Sequence, residues 1–145
     1  MLSLGLGLSL PMGGGAGGGG PDPEPVNLIV NGTYDTDTVW NNGPGWSIAG
    51  GVAVGVPDPA TGDQSQPIVL PAGNYRCEFD LVTRSAGQVR FVLLGGSPAY
   101  QGTLRNAVGH YSEDFTAVAQ TSFALRKTTT FDGTIDNVEL YYLGP

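Results

Sequence analysis

The stretch NYRCEFDLV (residues 74–82) decides the fold class, because apolar and polar side chains alternate along it one by one. In an extended strand successive side chains point to opposite faces, so this period of two produces one apolar and one charged face. The apolar face holds Tyr75, Cys77, Phe79 and Leu81, and the charged face holds Arg76, Glu78 and Asp80. The pattern predicts a β-strand that covers a core on one side and meets water on the other.

Further strands are predicted on both sides of this one, separated by turn sequences such as Asn31-Gly32, Gly50-Gly51 and Pro71-Ala72-Gly73-Asn74. The other strand candidates are VNLIVN (26–31), GWSIAGGVAVGV (45–56), QPIVL (66–70), QVRFVLL (88–94), HYSEDFTAV (110–118), TSFALRK (121–127) and GTIDNVELYYL (133–143). No segment has the apolar period of an amphipathic helix. About eight to ten strands at this spacing predict an all-β antiparallel sandwich of the jelly-roll type.

The N-terminal composition divides the chain into three predicted parts. Residues 1–12 are expected to form an extended anchoring arm, since leucine alternates there with Ser and Gly, at Leu2, Leu4, Leu6, Leu8 and Leu10. Residues 13–25 form a Gly/Pro-rich tether, and residues 26–145 form the jelly-roll domain.

A signal peptide fits the N-terminal segment poorly, because the first basic residue is Arg76. A frayed terminus remains the alternative to an arm that adds as a strand to another chain.

Composition and charge exclude several classes of function. The 145 residues include one Cys and one His, and the formal net charge is −7. A single Cys excludes a disulfide framework and a Cys-rich zinc site. Six basic residues against thirteen acidic ones argue against a nucleic-acid partner. No apolar run approaches the ~20 residues of a membrane-spanning helix, so membrane insertion is not expected. With so few groups suited to catalysis, we expect a protein that is not an enzyme.

The order of several segments resembles the jelly-roll domains of carbohydrate-binding modules, which belong to the galactose-binding type of sandwich. These segments are NLIVNGTYDTDTVW (27–40), GWSIAGGVAVGV (45–56), LPAGNYRCEFDLV (70–82), YSEDFTAV (111–118) and FDGTIDNVELYYL (131–143). Similar domains occur in structural proteins of tailed bacteriophages, and the Leu/Gly arm resembles those examples. The resemblance implies a binding or structural role, and the fold alone does not choose between the two.

The resemblance also implies a structural calcium ion, although no cofactor is expected to be required. In carbohydrate-binding relatives the first turn and the last strand often hold calcium, and Asn31 and Asp136 are the matching positions. Asp136, Val138, Leu140 and Tyr142 are spaced two residues apart along one predicted strand, so they should lie on the same face. The alternation therefore predicts that the Asp136 carboxylate faces inward. A buried carboxylate needs a cation or hydrogen-bond donors. Backbone N–H groups near the first turn are the alternative to calcium.

Two aromatic residues are candidates for carbohydrate binding. Trp40 lies in the Asn- and Gly-rich segment VWNNGPGW, and Tyr100 lies in the turn-rich segment GGSPAYQG, so both are expected to be exposed. Trp46, beside the apolar Ile48, is expected in the core, as is Cys77. His110 is expected at a strand end or on the surface, without a visible partner.

Two functional hypotheses remain open at this point. In the first, the chain is a structural virion protein of a tailed phage, a capsid decoration or head-fibre component. Its leucine arm would bind the major capsid protein, or a tail protein, and place the domain on the capsid surface, with a homotrimer compatible with this arrangement. In the second, the chain is a carbohydrate-binding module for glycan or host-surface attachment, which could also sit on a phage tail. The two hypotheses differ in the feature they need: the first needs the leucine arm as an anchor, and the second needs an exposed Trp40 as a sugar contact.

Overall fold

The computed structural model describes residues 24–145, so the predicted arm (1–12) and most of the tether (13–25) lie outside the described residues. The described part of the chain contains ten strands and no helix. Their bounds are β1 Asn41–Asn42, β2 Trp46–Ala49, β3 Val52–Gly55, β4 Asp63–Leu70, β5 Gly73–Ala86, β6 Val89–Leu94, β7 Tyr100–Gln101, β8 Gly109–Ala117, β9 Gln120–Lys127 and β10 Asp132–Gly144.

The strands form two five-stranded sheets in which all pairs are antiparallel. Sheet A has the order β1-β4-β9-β6-β7, and sheet B has the order β2-β3-β10-β5-β8. Sequential strands are therefore often placed in opposite sheets, and the apolar faces of the two sheets meet in one core. The predicted all-β antiparallel sandwich is confirmed.

The core is built from the inward positions that the alternation identified. Tyr75, Cys77, Phe79 and Leu81 of β5 are all buried, with at most 2% of their surface exposed. Trp46 is also buried, and its indole N–H donates to the carbonyl of Gly62 at 3.0 Å. The predicted core positions of Trp46 and Cys77 are confirmed. The hairpin predicted at Gly50-Gly51 joins β2 to β3, and both glycines have positive φ angles, 63° and 79°.

The segment predicted as a first strand, residues 26–31, forms no regular strand. Asn27 makes one isolated bridge to Tyr141 in sheet B, and the N–H of Leu28 donates to the carbonyl of Leu140. Two residues later, the backbone of Val30 bonds to the side-chain amide of Gln66 in sheet A, at 3.0 Å in both directions. The segment thus connects the two sheets, and it cannot continue as a strand in either of them.

A β-bulge in β10 reverses the predicted orientation of Asp136. The register of β10 against β5 shifts between Asp136 and Glu139, and Asn137 in that interval has a φ of 53°. One extra residue changes the face on which every preceding side chain lies. Ile135 and Val138 are therefore both buried, whereas Asp136 lies opposite Asp80 on the outer face and is half-buried. The prediction that Asp136 faces inward is wrong.

Candidate functional site

The outward face of sheet A has a low apolar centre, and we call this surface the recessed face. Ala124 and Val92 form its floor, and both are fully buried although they point away from the core between the sheets. One cross-strand row runs through them: Asn41, Ser65, Ala124, Val92 and Gln101. The amide side chains at the two ends of this row are longer than the floor residues and carry hydrogen-bonding groups. The row therefore has exposed amide groups at its two ends and, between them, two short residues with no accessible surface.

The next row of the recessed face is charged. Arg126 donates to both carboxylate oxygens of Asp63, from Nε at 2.9 Å and from Nη2 at 2.8 Å. This hydrogen bonding raises the pKa of Arg126 further above its ordinary value. Arg90 lies directly opposite Arg126 on the neighbouring strand, and its Nε is buried without a hydrogen-bond acceptor. The row therefore holds two guanidinium groups and a single carboxylate.

On the other side of the floor lies a row of Pro67, Ser122 and Leu94. The recessed face consequently combines hydroxyl, amide and guanidinium donors with a small apolar floor. Such side chains can donate to and accept from the hydroxyls of a polar ligand. Alternation in the sequence marks Arg90 as outward-facing, but Asn41, Ser65 and Gln101 lie outside the predicted strands. No sequence pattern shows that the residues of this face, which come from five separate strands, are neighbours.

Trp40 does not lie on this face, and the prediction that it is exposed is wrong. Only 6% of its surface is accessible. Its ring stacks on Tyr34 at 5.4 Å between centroids and meets the edge of Phe123 at 6.2 Å, while its N–H donates to the carbonyl of Asn31 at 2.9 Å. With its N–H bonded and its ring packed against two aromatic side chains, Trp40 offers too little surface for a sugar to stack on.

Tyr100 is half-buried and belongs to the inward side of β7. Its ring stacks on Phe115 at 4.2 Å between centroids, and its hydroxyl donates to Glu113 at 2.9 Å. Burial and this carboxylate raise the pKa of Tyr100 to about 12. Glu113 also accepts from the N–H of Thr103 and from Arg105, so Tyr100 is part of a network that closes one edge of the sandwich. The geometry does not present Tyr100 as an aromatic platform.

The two residues predicted for calcium are each engaged in local hydrogen bonds. The amide nitrogen of Asn31 donates to the carbonyls of Thr36 and Thr38, at 2.8 and 3.0 Å. A carboxylate oxygen of Asp136 accepts from the N–H of Asn137 at 2.8 Å. In residues 24–145, no group of three or more His, Cys, Asp or Glu side chains is arranged to hold a metal ion. The calcium site stays a prediction.

The outward face of sheet B carries the histidine, which has partners that the sequence did not reveal. His110 is exposed, as predicted, and its Nδ1 lies 2.6 Å from Asp80 while its Nε2 lies 3.1 Å from Glu78. The hydrogen bond to Asp80 raises the pKa of His110 and outweighs its slight burial. Burial alone would raise the pKa of Asp80, but hydrogen bonds from Asn137 and His110 lower it.

These two shifts predict a pH window for the contribution of His110 to stability. Because the pKa of His110 is higher in the folded state, protonated His110 contributes fully to stability below its pKa in the unfolded chain, ~6.5. This contribution is lost as the pH rises through the pKa of His110 in the folded protein. Because the pKa of Asp80 is lower in the folded state, ionised Asp80 contributes to stability above its pKa in the unfolded chain, ~3.9. This contribution is lost as the pH falls through the pKa of Asp80 in the folded protein. We expect His110→Gln to lower the free energy of unfolding most between about pH 4 and pH 6.5, by less than ~1 kcal/mol because the pair is exposed.

Urea unfolding of the wild type and of His110→Gln, measured from pH 3 to pH 9, tests this window. Asp114→Asn, which removes a partner of Arg76 on the same face, is the control, since its effect should show no change around pH 6.5. A His110→Gln difference that grows above pH 8 would contradict the assigned ion pair.

Comparisons with known proteins show the fold of this chain. No family model and no curated protein matches it. Among solved structures, the ligand-free module CBM1 of BiXyn10A superimposes with a TM-score of 0.57 at 15% identity, covering 76% of this chain and 94% of that chain. A mutant of a family 29 carbohydrate-binding module matches with a TM-score of 0.54 at 12% identity, covering 84% and 94%. Another mutant of that module, complexed with cellulohexaose, has a TM-score of 0.55 at 12% identity, covering 82% and 90%.

These likenesses confirm the predicted carbohydrate-binding-module type of jelly roll. At 12–15% identity they establish the fold and do not by themselves assign a ligand to this chain. Within the described residues, no helix has the length and apolar character needed to cross a membrane.

Proposed function

We propose that this chain is a non-catalytic carbohydrate-binding module that holds an oligosaccharide on the recessed face. The likeness to carbohydrate-binding modules supports this class of function. The observation that carries the proposal is the line of hydrogen-bonding side chains across sheet A, which flank the short residues Ala124 and Val92. It agrees with the second of the two hypotheses drawn from the sequence, although neither Trp40 nor Tyr100 provides the contact surface.

Binding would depend on hydrogen bonds more than on aromatic stacking. Asn41 and Gln101 are exposed at the ends of the central row, while Ser65 and Ser122 are half-buried beside the floor. These side chains can donate to and accept from sugar hydroxyls. The five strands present them along a line that crosses the sheet, which suits an extended chain of several sugar units. The rigid sheet holds the donors in place before the ligand arrives, so that little conformational entropy is lost on binding.

The virion hypothesis rests on residues that the structure does not describe. Its anchor, Leu2 to Leu10, lies outside residues 24–145, as does most of the tether. Attachment to a capsid or tail protein, trimer formation and a place on the capsid surface therefore stay predictions. A glycan-binding domain is compatible with all three, because a virion protein can also display a module of this kind.

A bulky side chain placed beside the floor tests the proposed site. Ser65→Trp would place an indole over the row beside Ala124, and we expect it to weaken binding to the best ligand of a glycan array by at least about 10-fold. The indole would occupy the volume that the sugar ring needs. Isothermal titration calorimetry of the wild-type chain and the variant measures the change.

Ser112→Trp is the matched control, since Ser112 is exposed on the outward face of sheet B, opposite Glu78. We expect this variant to bind as the wild type does. Equal loss in both variants, or loss with Ser112→Trp alone, would place the binding surface elsewhere. Thermal unfolding of both variants confirms that the fold is retained.

A further inference from the structure

The charged row of the recessed face lacks one carboxylate. Arg90 and Arg126 are directly opposed on neighbouring strands, and like charges in that position repel each other. Asp63 neutralises only one of them, because both of its oxygens are bonded to Arg126. Two positive groups against one negative group leave a local charge of +1 on this row, in a protein whose net charge is −7.

Arg90 is also the guanidinium that has no acceptor in the described structure. Its Nε is buried and makes no hydrogen bond. The other arginines all have one: Arg76 bonds to Asp114, Arg105 to Glu113, Arg126 to Asp63 and Arg84 to the carbonyl of Gly87. Leaving a buried donor of a charged group without an acceptor is costly, so the position favours the arrival of an anionic group.

The pairing of Arg126 with Asp63 shows which geometry fits such an anion. There the planar carboxylate lies side-on against Nε and Nη2 of the guanidinium. Nε of Arg90 is covered in the free protein, so a change of the Arg90 rotamer would have to accompany binding. A carboxylate that then met Arg90 in the same way would supply the missing acceptor to Nε and would separate the two opposed positive charges. The chain itself provides no such carboxylate among residues 24–145.

We propose that the oligosaccharide bound on the recessed face carries carboxylates, that is, that it contains uronic acid units. This inference rests on the proposed function and specifies the class of its ligand. A sugar carboxylate binds Arg90 side-on, while the hydroxyls of the same and neighbouring units bond to Ser65, Ser122 and Gln101. The acidic side chains around His110, Asp80 and Glu78, lie on the outward face of sheet B and not beside this row.

A matched pair of ligands tests this inference on the full chain. The neutral probe is cellohexaose, and the acidic probe is the β-1,4-linked glucuronic acid hexamer, which has the same backbone with carboxylates in place of hydroxymethyl groups. We expect the acidic hexamer to bind at least about 10-fold more tightly at low salt. Arg90→Gln should remove most of that advantage, so that the ratio of the two affinities falls toward one.

Arg84→Gln is the matched control, because Arg84 lies on strand β5 of the other sheet and bonds only to a backbone carbonyl. Arg90→Lys keeps the charge without the planar fork, and it should bind the acidic hexamer with intermediate affinity. Unchanged binding of the acidic hexamer by Arg90→Gln, or equal affinity of the wild type for both hexamers, would overturn the uronic acid proposal and leave carbohydrate binding standing.

Two further outcomes are informative. If a sulfated cellohexaose binds more tightly than the glucuronic acid hexamer, the proposal that the anionic group is a carboxylate is wrong. Arg90 would then still be the contact for an anionic group of the sugar. If neither hexamer binds, and a panel of xylan, mannan and their uronic acid forms does not bind either, the proposed function itself fails together with this inference.

Discussion

Replacing Trp40 with alanine is expected to lower the free energy of unfolding by about 3–5 kcal/mol, as for other large aromatic residues removed from a core. The indole is packed between Tyr34 and Phe123, and its N–H satisfies the carbonyl of Asn31. The variant loses this packing and leaves a cavity beside the first turn. Urea unfolding measured by tryptophan fluorescence of Trp46 and by circular dichroism determines the change.

The more conservative variant Trp40→Phe keeps one aromatic ring but loses the N–H and part of the indole volume. We expect a smaller loss than for Trp40→Ala, of about 1–2 kcal/mol. The N–H of Tyr34 still donates to the carbonyl of Asn31 at 3.2 Å, which limits the effect. If Trp40→Ala instead unfolds at the wild-type urea concentration and loses only glycan binding, then Trp40 is an exposed ligand contact, as its sequence surroundings suggested.

The second large effect is expected at Lys127, where a substitution should stabilise the protein. Only 1% of the surface of Lys127 is exposed, and its Nζ makes no hydrogen bond among the described residues. The lysine side chain packs against Gly45 and Gly55, and it lies so close that a Cβ atom added to Gly45 would be 2.6 Å from Nζ. Burial of an unpaired amine is unfavourable, whereas methionine has nearly the same shape without the polar group. We expect Lys127→Met to raise the free energy of unfolding by about 1–3 kcal/mol.

Lys127→Ala is the control for this prediction, because it removes the amine and also the alkyl chain. The resulting cavity should cancel the gain, and the variant should be less stable than Lys127→Met. A Lys127→Met protein that unfolds at lower urea than the wild type would contradict the prediction. It would show that the amine has an acceptor which residues 24–145 do not provide.

Side-chain alternation in the sequence was sufficient to predict the sandwich and its inward face. Tyr75, Cys77, Phe79 and Leu81 are buried because a strand has a period of two, and no long-range information is needed to place them on one side. The same rule correctly separates Glu113, which bonds to Tyr100, from Asp114, which bonds to Arg76 on the opposite face. Local turn residues likewise predicted the β2–β3 hairpin.

Tertiary structure alone decided the orientation of Asp136, the burial of Trp40 and the composition of the recessed face. One extra residue at Asn137 reverses the parity of the last strand, and the alternation of β10 read from its C-terminal half cannot reveal this. The Asn- and Gly-rich surroundings of Trp40 suggested exposure, but Phe123, from a strand far along the chain, covers it.

Arg90 and Arg126 belong to two strands predicted from the sequence, whereas Asp63 precedes the predicted strand at 66–70. They become one row only because β4, β9 and β6 are neighbours in sheet A in a particular register. Strand order and register depend on how the two sheets pack as a whole. Alternation in the sequence therefore determined the inward face of the regular strands, and the packed sheets determined which outward side chains can meet the same ligand.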